Sequence, residues 1–532
     1  MSASGTVEKS EEADGAGSGG GELLFCGGTV WDSLPKKTMP VEAQLVSPTR
    51  IRSLVGVDIR FVASSCSSCH FVALDVEGRC YTWGRNEKGQ LGHGDTRQRS
   101  LPSIVQGLSK HRIVNAATGK NHTVVITDDG QSFSFGFNKY GQLGTGSSKV
   151  EIEAFPVESL VSQATVTACG ADFTVWLSSV EGSSIITAGL PQYGQLGHGT
   201  DNEYNTKDSS VRLAYEPQPR PRSIASLSEK TIIKVACGTN HTVAADSNGF
   251  VYTWGFGGYG RLGHREPKDE WAPRLVEVFQ RHNVLPHNAI VCAGSVSSAC
   301  TGGGGQLYMW GKMKINGDEW MYPKPVMDLS GWNIRCMASG NMHHFIGADD
   351  SCISWGVSQF GELGYGPLGQ KSSVNPKKVD SLDGMHVISV ACGLSFSVIV
   401  VDKQNIVDRL DEFEVFEGAA IEETEVNDNG TSVMNSANKL EPKAANSKKR
   451  KQEDSSDEDE SENESDDYEA NGKSARTKSK RRGKSSGRGR GKGGGGTRGK
   501  AAVAKSSNRG SGHAKAEEKG SSGRARGRKA KS

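Results

Sequence analysis

The fold is decided by a ten-residue stretch, WGRNEKGQLG at residues 83–92, because its pattern returns along the chain. The pattern is an aromatic residue and Gly, four variable residues, and then Gly, one of Gln, Arg or Glu, Leu and Gly. Five complete copies start at Trp83, Phe135, Ala188, Trp254 and Trp355, with Ala replacing the aromatic residue in the third. A motif repeated in this way predicts a fold assembled from similar units.

A second landmark, Ala/Cys–x–Gly, sets the number of units. It occurs at residues 117–119, 168–170, 236–238, 292–294, 338–340 and 391–393, and Ser65 replaces its glycine in the first unit. Neighbouring landmarks lie 46–68 residues apart, and the longest interval marks an insertion before the fourth unit. A truncated copy of the first motif, Trp310-Gly311, fills the remaining interval. Seven landmarks therefore predict seven units.

Each unit contains short runs of alternating apolar and polar residues, such as residues 122–127 and 250–254. Such runs, bounded by turns rich in Gly, Asp and Asn, are typical of half-buried β-strands. Four-stranded units of about 50 residues in tandem are the sequence pattern of a β-propeller. The chain is therefore predicted to be all-β, with the aromatic residue of each motif packed between blades and the glycines allowing close approach of backbones.

These motifs resemble the regulator of chromosome condensation repeat, a family that builds seven-bladed β-propellers. The resemblance covers roughly residues 23–401. The seventh unit lacks its own aromatic–Gly ending, so an N-terminal strand at residues 24–28 is expected to close the last blade. The resemblance further implies association with chromatin or the mitotic apparatus, with small GTPases and microtubules as possible partners, and a propeller that is monomeric.

The net charge of +2 hides three regions of different character. Residues 1–410 carry −3, residues 411–469 carry −14 and residues 470–532 carry +19. Aromatic residues are almost absent beyond residue 427, so that part cannot bury enough surface to offset its chain entropy and is expected to be disordered. The neutral total therefore does not exclude a nucleic-acid-binding protein.

The predicted organisation has five parts. They are a disordered acidic and Gly-rich N-terminus at 1–21, the propeller at 22–405, a linker with a basic cluster at 406–452, an acidic segment at 453–469 and a basic Gly/Lys/Arg-rich tail at 470–532. The N-terminus has no apolar core of a secretory signal, and the most apolar stretch is too short to span a bilayer. The 11 cysteines form no dense framework, which favours reduced thiols and a nuclear or cytoplasmic protein without membrane contact.

The tail carries three signals. Two basic clusters are candidate nuclear localisation signals: Lys448, Lys449, Arg450 and Lys451, and Lys478, Lys480, Arg481 and Arg482. Candidate phosphorylation sites, each three residues before an acid, are Ser455, Ser456 and Ser461. Residues expected to neutralise nucleic-acid phosphates without reading bases are Arg488, Arg490, Lys492, Arg498 and Lys500.

Cysteine and histidine residues of the types used in metal binding and catalysis are interpreted here as structural residues. The pair Cys66 and Cys69, next to His70, lacks a second C-x-x-C, so no metal site is predicted. His122 and His241 recur at one repeat position, which favours either a turn residue or a residue that forms hydrogen bonds between blades. No catalytic residue and no cofactor are assigned.

The insertion before the fourth unit, residues 199–230, is the candidate partner-binding loop. It contains Arg212, Tyr215, Arg220 and Arg222 among several prolines, and Arg and Tyr often anchor interfaces. The leading prediction is a non-catalytic nuclear adaptor on chromatin or the mitotic apparatus that binds protein partners and contacts DNA or RNA through its tail. The alternative is a guanine nucleotide exchange factor for a small GTPase of the Ran, Rac or Arf type. A light-sensing or ubiquitin-pathway propeller is a weaker alternative.

Overall fold

The computed structural model describes residues 19–31, 39–207, 211, 213–314, 317–404 and 406–418. In chain order its strands are β1 (Gly21–Gly28), β2 (Gln44–Ile51), β3 (Ile59–Ala63), β4 (His70–Asp75), β5 (Cys80–Gly84), β6 (Arg99–Ile104), β7 (Ile113–Thr118), β8 (His122–Thr127), β9 (Ser132–Phe137), β10 (Ile152–Glu158), β11 (Ala164–Cys169), β12 (Phe173–Ser178), β13 (Ile185–Gly189), β14 (Glu203–Asn205), β15 (Leu213–Tyr215), β16 (Gln218–Ser223), β17 (Ile232–Cys237), β18 (His241–Asp246), β19 (Val251–Gly255), β20 (Glu270–Leu275), β21 (Val291–Ala293), β22 (Ser297–Thr301), β23 (Leu307–Gly311), β24 (Trp320–Pro325), β25 (Ile334–Ser339), β26 (His343–Ala348), β27 (Ser351–Gly356), β28 (Ser373–Lys378), β29 (Val387–Cys392), β30 (Phe396–Asp402) and β31 (Val415–Phe416).

Helical structure in the described residues is short. One α-helical turn, α1, spans Val407–Leu410, and the 3-10 turns are Val41–Ala43, Arg52–Leu54, Gln106–Leu108, Ala225–Leu227, Gly258–Gly260, Arg281–Asn283, Gly303–Gly305, Met327–Leu329 and Asp380–Leu382. The Gly303–Gly305 turn joins β22 to β23, so the run of four glycines at 302–305 forms a hairpin turn.

The strands form seven antiparallel sets of four, in agreement with the seven blades expected from the repeat. Blade 1 is β3–β6, blade 2 is β7–β10, blade 3 is β11–β13 with β16, blade 4 is β17–β20, blade 5 is β21–β24, blade 6 is β25–β28, and blade 7 is β29 and β30 with β1 and β2. First strands of successive blades contact one another, and β29 contacts β3, so the ring is closed. The prediction of an all-β propeller is confirmed.

The ring closes because the N-terminus completes the last blade. Strand β1 pairs antiparallel with β30 over seven positions, with Phe25 opposite Val398. The prediction of an N-terminal strand at this place is confirmed, and the structure adds that β2 supplies the fourth strand of the same blade. Two strands from each end of the propeller therefore share one blade, and opening the ring at this blade would break the pairing of β1 with β30.

Landmark glycines make room for rings on the next strand. A Cβ at Gly119 would overlap the imidazole of His122, and a Cβ at Gly170 would overlap the ring of Phe173. The same overlap recurs where Gly238 faces His241. The Ala/Cys–x–Gly landmark thus ends the first strand of a blade at a position where a side chain and the following ring cannot both fit.

A proline on every outer strand is a regularity that the sequence analysis missed. These residues are Pro48, Pro102, Pro156, Pro221, Pro273, Pro323 and Pro376. Proline lacks a backbone donor and is confined to the edges of sheets. Seven edge prolines therefore limit pairing of the outer strands with other chains. Spacing from the Leu–Gly motif to this proline would have identified the outer strands.

A buried ion pair joins the two ends of the propeller. Glu22 on β1 is 2% exposed and accepts a hydrogen bond of 3.0 Å from Arg50 Nε on β2. Arg50 Nη1 also donates 2.9 Å to Asp411, just after α1. Strand β31 then adds to β2 in parallel, with Val415 opposite Arg50. One guanidinium thus ties β1, β2 and the segment that follows the ring.

Replacing Arg50 should destabilise the closed ring strongly. Arg50→Leu leaves the Glu22 carboxylate buried with only Lys403, at 3.6 Å, as a counter-charge. Removing one partner of a buried pair costs roughly 3–5 kcal/mol, and we expect about 2–4 kcal/mol here because Lys403 remains.

The matched control is Arg52→Leu, which removes an exposed ion pair with Glu417 on the same strand end. Chemical denaturation of the full chain measures both variants. Equal stability of Arg50→Leu and the control would show that the Glu22–Arg50 pair does not hold the ring closed.

Candidate interaction face

Two sets of loops share one face of the ring. Strands alternate in direction within a blade, so the turn between its first and second strands and the loop between its third and fourth strands leave from the same side. The latter loop contains the Gly–x–Leu–Gly motif. We call this side the signature-loop face. The other side carries the hairpins between second and third strands and the connections between blades.

In blades 1 to 4 the last glycine of the signature loop packs against an aromatic residue of the next blade, whereas Gly364 of blade 6 packs against the Cys26 thiol. A Cβ built on Gly92 would lie 2.9 Å from the ring of Phe135, and one on Gly197 would lie 3.0 Å from Trp254 Nε1. The Trp254 indole also donates 2.9 Å to the carbonyl of Gln195. The expected packing of the motif aromatics between blades is therefore confirmed, and these glycines are fixed by lack of space.

In blade 3 a different residue packs against the last glycine of the preceding signature loop. Its motif carries Ala188 in place of the aromatic, and Trp176 on β12 fills the gap instead, with its ring 2.8 Å from a Cβ built on Gly144. The Trp176 indole donates 2.9 Å to Ser132 Oγ of blade 2. The third copy is therefore complete in structure although its aromatic is missing in sequence.

Repeat-position histidines link neighbouring blades through a hydroxyl. Thr174 Oγ1 donates 2.7 Å to the carbonyl of Gln142, so it accepts from His122 Nε2 at 3.0 Å. Equivalent relays are His70–Thr123–Gln90 and His241–Ser298–Arg261. Threonine hydroxyls also contact His93, His198 and His264, but each of these pairs lies within one blade. The prediction that His122 and His241 bond between blades is confirmed.

Burial keeps these imidazoles neutral. Desolvation lowers the pKa of His70 to about 3, with the nearby His122 as a second cause, and lowers the pKa of His122 to about 3. The pKa of His343 is lowered to about 4 by the same burial. A neutral ring with hydrogen on Nε2 is the form that the relay requires.

Cys66 closes the centre of the ring on the signature-loop face. Its Sγ lies 3.6 Å from Thr239 Oγ1 of blade 4, and Thr239 Oγ1 donates 3.1 Å to Ser295 Oγ of blade 5. Burial is the main cause that raises the pKa of the Cys66 thiol to about 11. The first cysteine of the C-x-x-C motif is thus a packing residue. Across the part of the chain that the structure describes, no group of three His, Cys, Asp or Glu side chains could hold a metal ion.

The three described candidate loop residues lie on two different strands. Arg220 and Arg222 are exposed on β16, the outer strand of blade 3, on either side of its edge proline. Tyr215 ends β15, opposite Glu203 on β14. Arg212 lies outside the described residues. The interpretation of 199–230 as one loop is wrong, because residues 218–227 form a regular strand and 3-10 turn.

The true insertion is the β14–β15 hairpin on the signature-loop face. It exposes three apolar side chains, Tyr204 at 46%, Leu213 at 48% and Val211 at 80%. Tyr204 and Leu213 occupy adjacent register positions that face opposite sides, so each face of the hairpin offers an exposed apolar side chain to a partner. The base of the hairpin reaches blade 4, where Gly199 N donates 2.8 Å to the carbonyl of Trp271, itself half exposed.

Blade 4 carries a buried cation that sequence reasoning missed. Arg261 takes the place that Gln or Glu occupies in the other copies and is almost fully buried. It donates 2.7 Å to the carbonyl of Ser295 and lies 4.6 Å from the ring centre of Phe256 and 5.5 Å from that of Tyr259. Desolvation lowers its pKa to about 10. The unusual residue in the fourth motif was the signal that could have found it.

All tail predictions lie outside the described residues. They concern the localisation clusters 448–451 and 478–482, the serines at 455, 456 and 461, and the nucleic-acid residues between 488 and 500. Among the described helices, none has the length and apolar character needed to cross a bilayer.

The closed ring of RCC1-type blades, together with its signature-loop face, defines the class of protein. The model of the RCC1-like domain matches residues 16–316, and that of the regulator of chromosome condensation (RCC1) repeat matches residues 349–400. The chain belongs to the regulator of chromosome condensation family.

Individual relatives extend the similarity over the whole propeller. Protein RCC2 of Homo sapiens is 40% identical over 406 residues, covering 71% of this chain and 76% of the relative, and the Xenopus laevis homolog is 38% identical, covering 73% and 79%. Among solved structures, human WBSCR16 has a TM-score of 0.58 at 20% identity, covering 72% of this chain and 99% of that one. Prp20p from Saccharomyces cerevisiae has a TM-score of 0.58 at 19% identity, covering 74% and 94%.

The histidine relays predict acid-sensitive stability. The folded-state pKa of His122 is below its ordinary value of 6.5, so its contribution is fully present above pH 6.5 and is lost as the pH falls towards 3. Each such group adds a slope of about 1.4 kcal/mol per pH unit within that window. His122→Phe should remove one group's slope, measured by denaturation between pH 7 and pH 4.

Phe173 shows that the repeat accommodates a phenyl ring at this position, so His122→Phe is expected to fold. His287→Phe is the control, because His287 is exposed and belongs to no relay. An unchanged pH slope in His122→Phe would contradict a neutral buried imidazole.

Proposed function

We propose that this protein is a non-catalytic regulator associated with chromatin, whose signature-loop face over blades 3–5 binds a protein partner of the small GTPase class. One observation carries the proposal. The departures from the repeat gather in these blades: the β14–β15 hairpin with its exposed apolar side chains, the half-exposed Trp271 and the buried Arg261. Repeat positions that depart from the pattern without a gain in packing are candidates for function.

The relatives support the choice of partner class. Prp20p was solved in connection with its binding to Gsp1p and histones, and it shares the propeller fold with this chain. Protein RCC2 carries the name of the same family of chromosome-condensation regulators. Fold alone does not assign a function, so the proposal depends on the residues of the face.

Guanine nucleotide exchange is the second candidate function. An exchange factor needs no catalytic side chain, because binding the nucleotide-free GTPase more tightly than the loaded form accelerates release. A rigid closed ring with a projecting hairpin suits such differential binding. Exchange is therefore proposed as an activity of the same face.

The tail supplies the contact with nucleic acid in this proposal. Residues 470–532 carry +19 and would neutralise phosphates, while the basic clusters direct the chain to the nucleus. Residues 406–452 and 453–469 then serve as a linker and an acidic, phosphorylatable spacer.

A nucleotide-release assay with a panel of Ran, Rac and Arf GTPases tests the face. The wild-type chain should bind a nucleotide-free member, and Tyr204→Ala with Trp271→Ala should weaken that binding about tenfold without lowering the melting temperature, because both side chains are about half exposed. Lys230→Ala, on the opposite face of blade 3, is the control. If the double substitution leaves GTPase binding unchanged, this part of the face does not bind the GTPase. If the chain binds a GTPase without accelerating nucleotide release, the protein acts as an adaptor and not as an exchange factor.

The tail should bind DNA with a steep dependence on salt. Neutralising several phosphates releases counterions, so affinity should fall by a factor of about 10³ or more between 50 and 200 mM salt, with little preference for sequence. Fluorescence anisotropy with unrelated duplexes measures both properties. Affinity that stays constant across this range would contradict the mechanism.

A further inference from the structure

The signature loop of blade 4 reverses a hydrogen bond that the other four complete copies share. In those copies the Gln or Glu of the motif accepts from the backbone N–H two residues earlier. These bonds are Lys88 N to Gln90 at 2.8 Å, Tyr140 N to Gln142 at 3.0 Å, Tyr193 N to Gln195 at 2.7 Å and Phe360 N to Glu362 at 2.7 Å. A guanidinium has no acceptor, so Arg261 donates instead, from Nε to the Gly258 carbonyl at 2.8 Å.

The backbone of this loop is strained at Tyr259, the residue two positions before Arg261. Its φ is 63°, whereas the residue at the same place in the other four complete copies has no positive φ. A bulky side chain rarely adopts this conformation, and such strain is concentrated at functional sites. The arginine and the strained tyrosine therefore belong to one local departure from the repeat, which packing alone does not require.

The strained tyrosine ring contacts two cations from neighbouring blades. The Arg261 guanidinium lies 5.5 Å from the centre of the Tyr259 ring, and Lys312 Nζ lies 4.6 Å from it. Lys312 begins the signature loop of blade 5, where its backbone N–H donates 3.0 Å to the carbonyl of Val296. Cations placed against aromatic rings in this way are held in position. We call Tyr259, Arg261 and Lys312 the two-cation site.

No acid of the described residues neutralises the two-cation site. Neither Arg261 nor Lys312 has a carboxylate oxygen within 4.0 Å in this part of the chain. Asp269 acts on the charge of Arg261 only from a longer distance, and its carboxylate accepts 2.8 Å from Gly257 N. Arg261 is 3% exposed, and burying an unpaired charge costs free energy. An acidic group from outside the described residues would remove this cost.

One edge of the Arg261 guanidinium is available to such a group. Nε and Nη1 donate to the carbonyls of Gly258 and Ser295, at 2.8 and 2.7 Å. Nη2 has no hydrogen bond to the described residues, yet it is not among the enclosed polar atoms that lack a partner. An incoming oxygen can therefore reach Nη2, while the half-buried Lys312 offers a second cation beside it.

We infer that the two-cation site binds carboxylate side chains of the partner that docks on the signature-loop face. The inference rests on the proposed function and adds the chemistry of the partner surface. Hydrogen bonds between a carboxylate and a guanidinium or ammonium are strong, and an Arg261 that is held by two carbonyls loses little freedom on binding. Nucleic acid is less suited, because its backbone is bound by several cations along a groove and not by two cations on one ring.

The surroundings of the site define the partner further. Phe256, whose ring centre lies 4.6 Å from the Arg261 guanidinium, packs at 4.8 Å against Tyr193 of blade 3. Tyr193 lies in the loop that carries the β14–β15 hairpin, with its exposed apolar side chains. The matching partner surface therefore has acidic residues next to apolar ones. The acids would pair with blades 4 and 5, and the apolar residues would contact the hairpin.

Carbodiimide coupling of the full chain to a capped hexaglutamate peptide tests the site without a GTPase. Peptide mapping reads out each lysine separately and should find Lys312 coupled to the peptide. Arg261→Gln gives blade 4 the residue of the first three copies and should lower coupling at Lys312 roughly threefold or more, because half of the charge is lost. It should not lower the melting temperature, because Gln can accept from the backbone of residue 259 as in the other blades.

Arg85→Gln is the matched control, because Arg85 is also buried in a signature loop but is already paired with Glu87. It should leave coupling at Lys312 unchanged. An uncoupled Lys312, or coupling that Arg261→Gln does not reduce, would overturn the inference. So would protection of Lys312 from acetylation by an oligonucleotide and not by the peptide, which would assign the site to nucleic acid.

Binding of the GTPase that the release assay selects separates the inference from the proposed function. Arg261→Gln should weaken this binding about tenfold, and Arg85→Gln should not. GTPase binding that Arg261→Gln leaves unchanged would overturn the inference while the proposed function stands. If no GTPase binds but Lys312 couples to the peptide in an Arg261-dependent way, the carboxylate site is supported and the proposed partner class is wrong.

Discussion

The close approach of each blade to the next is the constraint on which the structure depends. An aromatic ring from one blade lies on a glycine of the blade before it, and a Cβ at Gly92 or Gly197 would come within about 3 Å of that ring. Backbone N–H groups of the same loops donate to the outer strand of the next blade, as Gly94 does to Ala154. Because these contacts join neighbouring blades, an open ring would leave the facing surfaces of two blades without a partner.

Closure explains why the ends of the propeller are tied so tightly. The chain forms strand β1 of the last blade before it enters the first blade. The last blade is therefore built from both ends of the propeller. The buried Glu22 and its partner Arg50 fix this joint, and the segment around Asp411 is attached to the same guanidinium. The described residues that follow β30 therefore contact the ring at blade 7, where the ring closes.

Much of the fold could be predicted from the sequence because each packing contact of the repeat requires the same type of residue at the same position of successive units. The glycines, the aromatics and the closing N-terminal strand were all visible in this way. The compensation by Trp176 was not, because it depends on which side chain reaches the space opposite Gly144. The candidate loop was misjudged for a related reason. Arg220 and Arg222 belong to a strand whose identity rests on the edge proline, a regularity that only the outer strands reveal. Arg261 was missed because its role depends on its burial.

The proposed partner surface rests on the departures from the repeat, which lie on the signature-loop face over blades 3–5. The most direct test is hydrogen exchange of the full chain, alone and with the GTPase that the release assay selects. Protection is expected in the loops at 190–217 and 256–269. Protection confined to the opposite face, in the hairpin turns at 128–131 and 246–250, would contradict the account.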